Sequence, residues 1–291
     1  MKVVRAKILG FCMGVRRAVE LTSAEANASA SSGSAVFTLG SLIHNPKVLN
    51  DLEKRGVKAL NELPETCENC SVIIRAHGIN PAAENDLRSR GCRIVDATCP
   101  KVKMSQLKTR ELSGAGYSLF LAGEAHHAEI EGILGYVDAA AFCMVVSGAD
   151  EAQNAAAELY KVNSGAKAAL LGQTTISEDE YSNIANEIKK YFPSLEIAKT
   201  ICAATTERQQ ALRELLLETD AVIIAGGRES ANTRRLLAIA KESGKPCALT
   251  ESSDEIPLEF FNFKTVGLCA GASTPDILID EIEAVLLAST R

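Results

Sequence analysis

The sequence predicts an α/β protein made of three related units arranged around a pseudo-threefold axis. Three observations carry this reading. Short apolar runs alternate with helix-like segments along the whole chain, the pattern of βα units with parallel sheets. Three cysteines recur in similar contexts about a third of the chain apart: Cys12 in Gly10-Phe11-Cys12-Met13-Gly14, Cys99 in Asp96-Ala97-Thr98-Cys99-Pro100, and Cys202 in Ile201-Cys202-Ala203-Ala204-Thr205-Thr206. Polar loops then follow strands at matching distances from each cysteine.

Taken in order, the apolar runs predict strands over 3–9, 35–39, 72–75, 93–95, 119–122, 144–146, 168–171, 196–201, 221–225, 246–249 and 265–269. The strands over 3–9, 93–95 and 196–201 each lead into one of the three cysteines. Helical periodicity follows Cys12 at Val15, Ala18 and Val19, and follows Cys202 at Leu212, Leu215 and Leu216. It also covers 178–191 and 233–242, and is weakest after Cys99. Gly and Pro punctuate the joins and no low-complexity linker interrupts them. The units are expected over 1–98, 99–199 and 200–291.

Composition narrows the function. With 46% apolar and 23% charged residues the chain is an ordinary globular protein, too long at 291 residues for one small core. A net charge of −6 and a pI near 5.4 argue against nucleic-acid or membrane-surface binding, which calls for a basic face. The start, Met1-Lys2-Val3-Val4-Arg5, does not read as a signal peptide, and no apolar stretch is long enough to span a bilayer. A cytoplasmic chain is expected. Its nine cysteines are then a source of metal ligands or core packing rather than a disulfide framework.

Three thiolates at loop–helix junctions can hold a metal and leave one coordination position open, the mark of a catalytic rather than a structural centre. The polar loops complete the picture. His44 and His77 lie 32 and 65 residues after Cys12, His127 and Thr174 lie 28 and 75 after Cys99, and Asn232 and Ser273 lie 30 and 71 after Cys202. All follow strands, where open α/β sheets bind their ligands.

These residues carry a family resemblance. Gly10-Phe11-Cys12, Ile43-His44-Asn45, Ala76-His77-Gly78, Asp96-Ala97-Thr98-Cys99-Pro100, His127-Ala128-Glu129-Ile130-Glu131-Gly132, Gln173-Thr174-Thr175, Ile201-Cys202, Ala204-Thr205-Thr206 and Gly271-Ala272-Ser273-Thr274-Pro275-Asp276 run in the order of the 4-hydroxy-3-methylbut-2-enyl diphosphate reductase family. Each is weak alone, but the ordered set is specific and spans nearly the whole chain. The resemblance implies a trefoil of three α/β domains around a central 4Fe-4S cluster held by Cys12, Cys99 and Cys202, with one iron free of protein ligands. It implies the last step of the non-mevalonate isoprenoid pathway: two-electron reductive dehydroxylation of an allylic diphosphate to isopentenyl and dimethylallyl diphosphate, with electrons from a ferredoxin- or flavodoxin-type donor. It casts Glu129 as the proton source with Thr174 as relay, and His44, His77, His127, Thr174, Ser230, Ala231, Asn232 and Ser273 as substrate contacts. Ser273 or Thr274 ahead of Pro275 also reads as a helix start able to meet a phosphate.

The chain departs from the family pattern at three places: Ala231 replaces the middle serine of Ser-Ser-Asn, and Ala128 and Ile133 replace a proline and a threonine around Glu129. His126 is expected at the surface or behind the site. Cys67-Glu68-Asn69-Cys70 has zinc-knuckle spacing but no second Cys or His pair to match, so a loop is expected. Cys92, Cys143, Cys247 and Cys269 read as core thiols. A cluster-dependent hydro-lyase, which removes water without consuming electrons, and a non-catalytic iron–sulfur redox sensor are the alternative functions.

Overall fold

The computed structural model describes residues 1–62, 67 and 69–288. Along the chain run β1 (Lys2–Arg5), α1 (Met13–Ser32), β2 (Ala35–Leu39), α2 (Pro46–Lys54), β3 (Val57–Leu60), β4 (Cys70–Ile74), α3 (Pro81–Ser89) and β5 (Arg93–Asp96). Next come α4 (Pro100–Gly114), β6 (Ser118–Ala122), α5 (Ala128–Leu134), β7 (Cys143–Val146), α6 (Ala149–Val162), β8 (Ala168–Gly172), α7 (Glu178–Lys189) and β9 (Glu196–Ile197). The chain continues through α8 (Ala203–Glu218), β10 (Ala221–Ala225), α9 (Ala231–Glu242), β11 (Cys247–Thr250), β12 (Thr265–Ala270) and α10 (Asp276–Ala288).

The strands form three four-stranded, all-parallel sheets: β3-β2-β4-β5, β7-β6-β8-β9 and β11-β10-β12-β1. The order is the same in all three, second-first-third-fourth, provided β1 is counted as the fourth strand of the last sheet. Lys2–Arg5 therefore does not join the first third of the chain, where the unit 1–98 had placed it. It pairs with β12, Val3 opposite Val266. In each sheet the order in which strands are added reverses between the first and third strands, and such switch points are where doubly wound sheets open a crevice for ligands.

The inner strands β4, β8 and β10 are buried along their whole length, which is why they read as unbroken apolar runs. Two of the three fourth strands are shorter than their sequence runs suggest. β1 stops at Arg5 instead of residue 9 and β9 at Ile197 instead of 201, because the chain turns inward there to deliver its cysteine. β3 was not anticipated: its middle residues Lys58 and Ala59 are exposed, so no apolar run marks it. The helix after Cys99, the weakest in the sequence, is a full 15 residues. Its buried face is largely hydroxyl and amide (Ser105, Gln106, Thr109, Ser113), and Thr109 and Ser113 return their hydroxyls to carbonyls four residues back. A polar buried face erases the apolar periodicity.

Candidate active site

Cys12, Cys99 and Cys202 are the N-cap residues of α1, α4 and α8, and none of their side chains makes a capping hydrogen bond. Their sulfurs are left without capping bonds at the N-terminal ends of three helices, where the helix dipoles are positive. Each backbone N–H donates to the loop after the neighbouring third strand of its sheet: Cys12 to the Ala272 carbonyl (3.1 Å), Cys99 to Ala76 (2.9 Å) and Cys202 to Thr174 (3.0 Å). The threefold pattern thus extends to single hydrogen bonds. Burial pushes the Cys99 thiol up, with the Lys101 and Val102 N–H groups opposing and the nearby Cys12 and Cys202 reinforcing the shift.

These three residues line one open cavity of about 750 Å³ together with His44, His77, His127, Glu129, Thr174, Ser230, Ala231, Asn232 and Ser273. All twelve site residues named from the sequence are therefore brought to one place. They come from the switch-point loops of all three sheets. His126 is exposed outside it.

The three imidazoles form a triangle, with ring centroids 4.7 Å (His44–His77), 5.8 Å (His44–His127) and 5.4 Å (His77–His127) apart. Burial is the main reason all three titrate low, His77 well below the usual range and His127 near 4, with neighbouring histidines adding to the shift of these two and Arg75 to that of His44. The rings are neutral at pH 7. His127 Nδ1 accepts from the Glu129 N–H at 3.1 Å, so its proton sits on Nε2. His44 Nε2 and His77 Nδ1 are buried without partners.

Glu129 is 2% exposed, yet both its oxygens are engaged by one residue. The Thr174 N–H donates to Oε1 at 2.7 Å and the Thr174 hydroxyl to Oε2 at 2.8 Å. Burial raises its pKa to about 6 against the pull of the Thr174 bonds, which favour the charged form. Ala128 and Ile133, the departures that flank it, are both buried, and Ile133 joins the core with Leu119 and Leu121.

In the third unit, the Ser230 hydroxyl oxygen caps α9 by accepting from the Thr233 N–H at 3.3 Å. Ser273 donates its hydroxyl to the His44 carbonyl at 3.1 Å, tying the third sheet's loop to the first. Neither hydroxyl is idle. Asn232 is 4% exposed and has neither amide atom partnered. A buried, unpaired amide is costly unless something completes it.

Two features escaped the sequence reading. Gly14 stands where a Cβ would lie 2.5 Å from Cys99 Sγ, so this position must lack a side chain for the sulfur to face the cavity. A glycine in a helix's first turn beside a cysteine was the available signal. Arg75, whose buried Nε has no partner and whose charge helps lower His44, adds a cation beside the histidines. It ends an apolar run and reads as the strand's solubilising edge.

Among the described residues, two sets of three ligand atoms lie mutually within 4.8 Å: His44, His77 and His127, and Cys67, Cys70 and Cys92. The second is a three-thiol group able to hold a metal, and Cys92 is the ligand that sequence spacing could not supply. As expected of a core thiol, it also packs against the core beside Val72, Ile74 and Leu87. Of the others named so, Cys269 is fully buried and Cys143 and Cys247 partly so, burial pushing Cys143 and Cys269 up to about 12. Cys12, Cys99 and Cys202 surround the cavity at wider spacing than either set. That suits a centre of several atoms better than one ion, and soft thiolates select iron–sulfur clusters.

The LytB protein family matches residues 3–287. The chain belongs to the LytB family. Among curated LytB relatives, 4-hydroxy-3-methylbut-2-enyl diphosphate reductase of Treponema denticola is 41% identical over 99% of both chains, and that of Solidesulfovibrio magneticus 39% identical over 98% of this chain and 99% of the relative. A solved structure of (E)-4-hydroxy-3-methyl-but-2-enyl diphosphate reductase, described as the terminal enzyme of the non-mevalonate pathway, superimposes with a TM-score of 0.70 at 36% identity, covering 99% of this chain and all of that one. The corresponding reductase from Plasmodium falciparum superimposes with a TM-score of 0.88 at 25% identity over 98% of this chain and 87% of its own. The LytB reductases are iron–sulfur dependent. The family resemblance and the trefoil of α/β units read from the sequence are thus borne out. No helix among the described residues is long and apolar enough to cross a membrane.

Proposed function

We propose that this chain reduces 4-hydroxy-3-methylbut-2-enyl diphosphate in the central cavity. The reaction takes up two electrons and two protons, releases the hydroxyl oxygen as water, and leaves isopentenyl or dimethylallyl diphosphate. The observation that carries this reading is the meeting of three free helix-capping thiols with a buried carboxyl near pKa 6 and a rim of unpartnered donors. A sensor would have no use for the last two.

A 4Fe-4S cluster held by Cys12, Cys99 and Cys202, with one iron free of protein ligands, would supply the electrons and the Lewis-acid site for the hydroxyl. The remaining steps belong to the protein. When Glu129 is protonated at Oε2 the bond it shares with the Thr174 hydroxyl reverses, Oε2–H donating to Thr174 Oγ1, so that the hydroxyl can give its own proton to the departing oxygen and take the one from Glu129 in the same movement. Asn232, the His127 Nε2–H and the unpartnered nitrogens of His44 and His77 converge as donors for the diphosphate. Burial of the rings keeps the histidines neutral, so the site does not carry a cluster of like charges in the free enzyme. Domain boundaries near 98/99 and 199/200 fall between β5 and Cys99 and between β9 and Cys202, with β1 going to the third unit's sheet. The electrons come from an external ferredoxin- or flavodoxin-type donor, and the reduced thiols the reading requires fit a cytoplasmic enzyme.

Anaerobic protein supplied with a reductant and the allylic diphosphate tests the reaction. Electron consumption matched to the two isoprenyl diphosphates is expected; water loss without electrons would mean a hydro-lyase, and no turnover a sensor. Cys99→Ser should lose both iron and turnover. Full iron content in that variant would sink the ligand assignment.

A further inference from the structure

The second thiol group lies at the opposite rim of the first unit's sheet. Cys70 opens β4 and Cys92 directly precedes β5, whereas His77 and Cys99 follow the other ends of those strands. At about 3.3 Å per residue, the five residues of β4 alone separate the two ends by roughly 13 Å. None of the three thiols lines the central cavity. This is the wrong end of the sheet for the substrate, and a separate account is needed.

The geometry is that of a metal knuckle. Tetrahedral zinc ligands at about 2.3 Å from the ion stand roughly 3.8 Å from one another, and the three sulfurs already lie within 4.8 Å. The Cys67, Cys70 and Cys92 side chains therefore face one point. Asn69, between Cys67 and Cys70, has φ of 62°, the one positive value of a non-glycine among the described residues. That conformation is held by the Ser34 hydroxyl on Asn69 Oδ1 (3.0 Å) and by the Ala35 N–H on the Asn69 carbonyl (3.3 Å). The tight turn it makes, closed by Cys70 N–H to the Cys67 carbonyl at 3.3 Å, puts both thiols on the same side. Around them pack Val72, Ile74, Ile79 and Leu87. Arg90 is near enough for its charge to act on Cys67 and Cys92, and is itself ion-paired with Asp86 at 2.9 Å.

We propose that Cys67, Cys70 and Cys92 form a second metal site that takes one thiophilic divalent cation of the zinc class, distinct from the centre in the cavity. Binding releases three protons, one from each thiol, and forms three metal–sulfur bonds; a solvent molecule completes the tetrahedron. Three thiolates and a dication leave one negative charge, which the Arg90 guanidinium faces. The site would clip the chain before β4 to the start of β5 and so fasten the rim of the first sheet.

The test uses the intact iron-loaded enzyme, equilibrated with Zn²⁺ and then dialysed against a weak chelator. One zinc per chain should remain, and X-ray absorption at the zinc edge, which iron does not obscure, should show sulfur neighbours at about 2.3 Å. Cys67→Ser and Cys92→Ser should each weaken zinc retention at least a hundredfold while iron content and turnover persist. No retained zinc in the wild-type protein would overturn the proposal, as would a zinc shell of nitrogen and oxygen alone, which would point to the three histidines. Loss of iron from a folded Cys67→Ser protein would overturn it too, by making this group the cluster's own.

Discussion

The second and third units present equivalent strand-end loops to the same cavity, but in opposite states of completion. In the second unit, Glu129 and Thr174 satisfy each other fully and His127 is fixed by the Glu129 N–H. In the third, Asn232 carries an unpartnered amide and Ser230 accepts a helix-cap bond with its own O–H still free to donate, while Ser273 gives its proton to an inter-unit bond. The difference separates two tasks. A group that must hold a set pKa has to be surrounded before substrate arrives, since its neighbours define the proton affinity. A group that must bind an anion gains most if its donors have nothing else to bind. Substitutions on one side should therefore change rate and on the other affinity.

The sharpest break comes at Glu129. Glu129→Gln keeps an oxygen for the Thr174 N–H and removes only the proton, so kcat should fall by about a hundred- to ten-thousand-fold with KM little changed. The active form is the protonated acid, present below its pKa of about 6 and lost as pH rises through it. The kcat/KM of the wild-type enzyme should decline above about pH 6. His127, depressed to about 4, cannot account for that limb because it is already neutral there. A large KM increase with intact kcat in Glu129→Gln would contradict the division of labour.

Asn232→Ala should do the reverse. Losing a hydrogen bond to a charged group costs about 1.5–3 kcal/mol, or roughly ten- to hundredfold in affinity. It should appear in KM and leave kcat nearly untouched. The unliganded protein should melt no lower than the wild type, because the substitution removes a buried amide that had no partner. A loss of stability would mean that Asn232 is structural. Thr174→Val is a gentler probe of the other side. Thr174 holds the Glu129 pKa down, so its loss should raise that pKa further, move the alkaline limb upward and lower kcat about tenfold, the worth of one hydrogen bond at about 0.5–1.5 kcal/mol.

Much of this contrast was legible in the sequence, because the switch-point loops follow buried parallel strands, which read as apolar runs. The twelve site residues named from these loops and from the family resemblance all line the cavity. What hid was whatever depends on pairing across long separations or on polar burial. β1 belongs to the third sheet, not the first, because strand partners leave no local mark. By sheet, Cys99 therefore accompanies His44 and His77, and Cys12 accompanies the third unit's loops. The helix after Cys99 was faint because hydroxyls bury its inner face. Cys92 meets Cys67 and Cys70 only after a helix and two strands have folded, so spacing rules could not find it. That Ser230 and Ser273 already have partners is equally invisible to a motif.

The smallest expected effect tests whether the third unit's site is trimmed or broken. Ala231 begins α9 and lines the cavity where the family pattern has a serine. Its backbone N–H is among the first of the helix and has no intrahelical acceptor, so it can still meet a phosphate oxygen. Only a hydroxyl is missing. Ala231→Ser places one extra donor at the cavity wall without touching the Glu129–Thr174 pair. The gain should be about 0.5–1.5 kcal/mol, which lowers KM up to roughly tenfold and leaves kcat and its pH profile where they were. Steady-state kinetics on the two proteins side by side decide it. If the wild type were inert and Ala231→Ser active, the third unit would be doing more than holding the diphosphate, and the separation of rate from affinity between the two loops would fail at its weakest point.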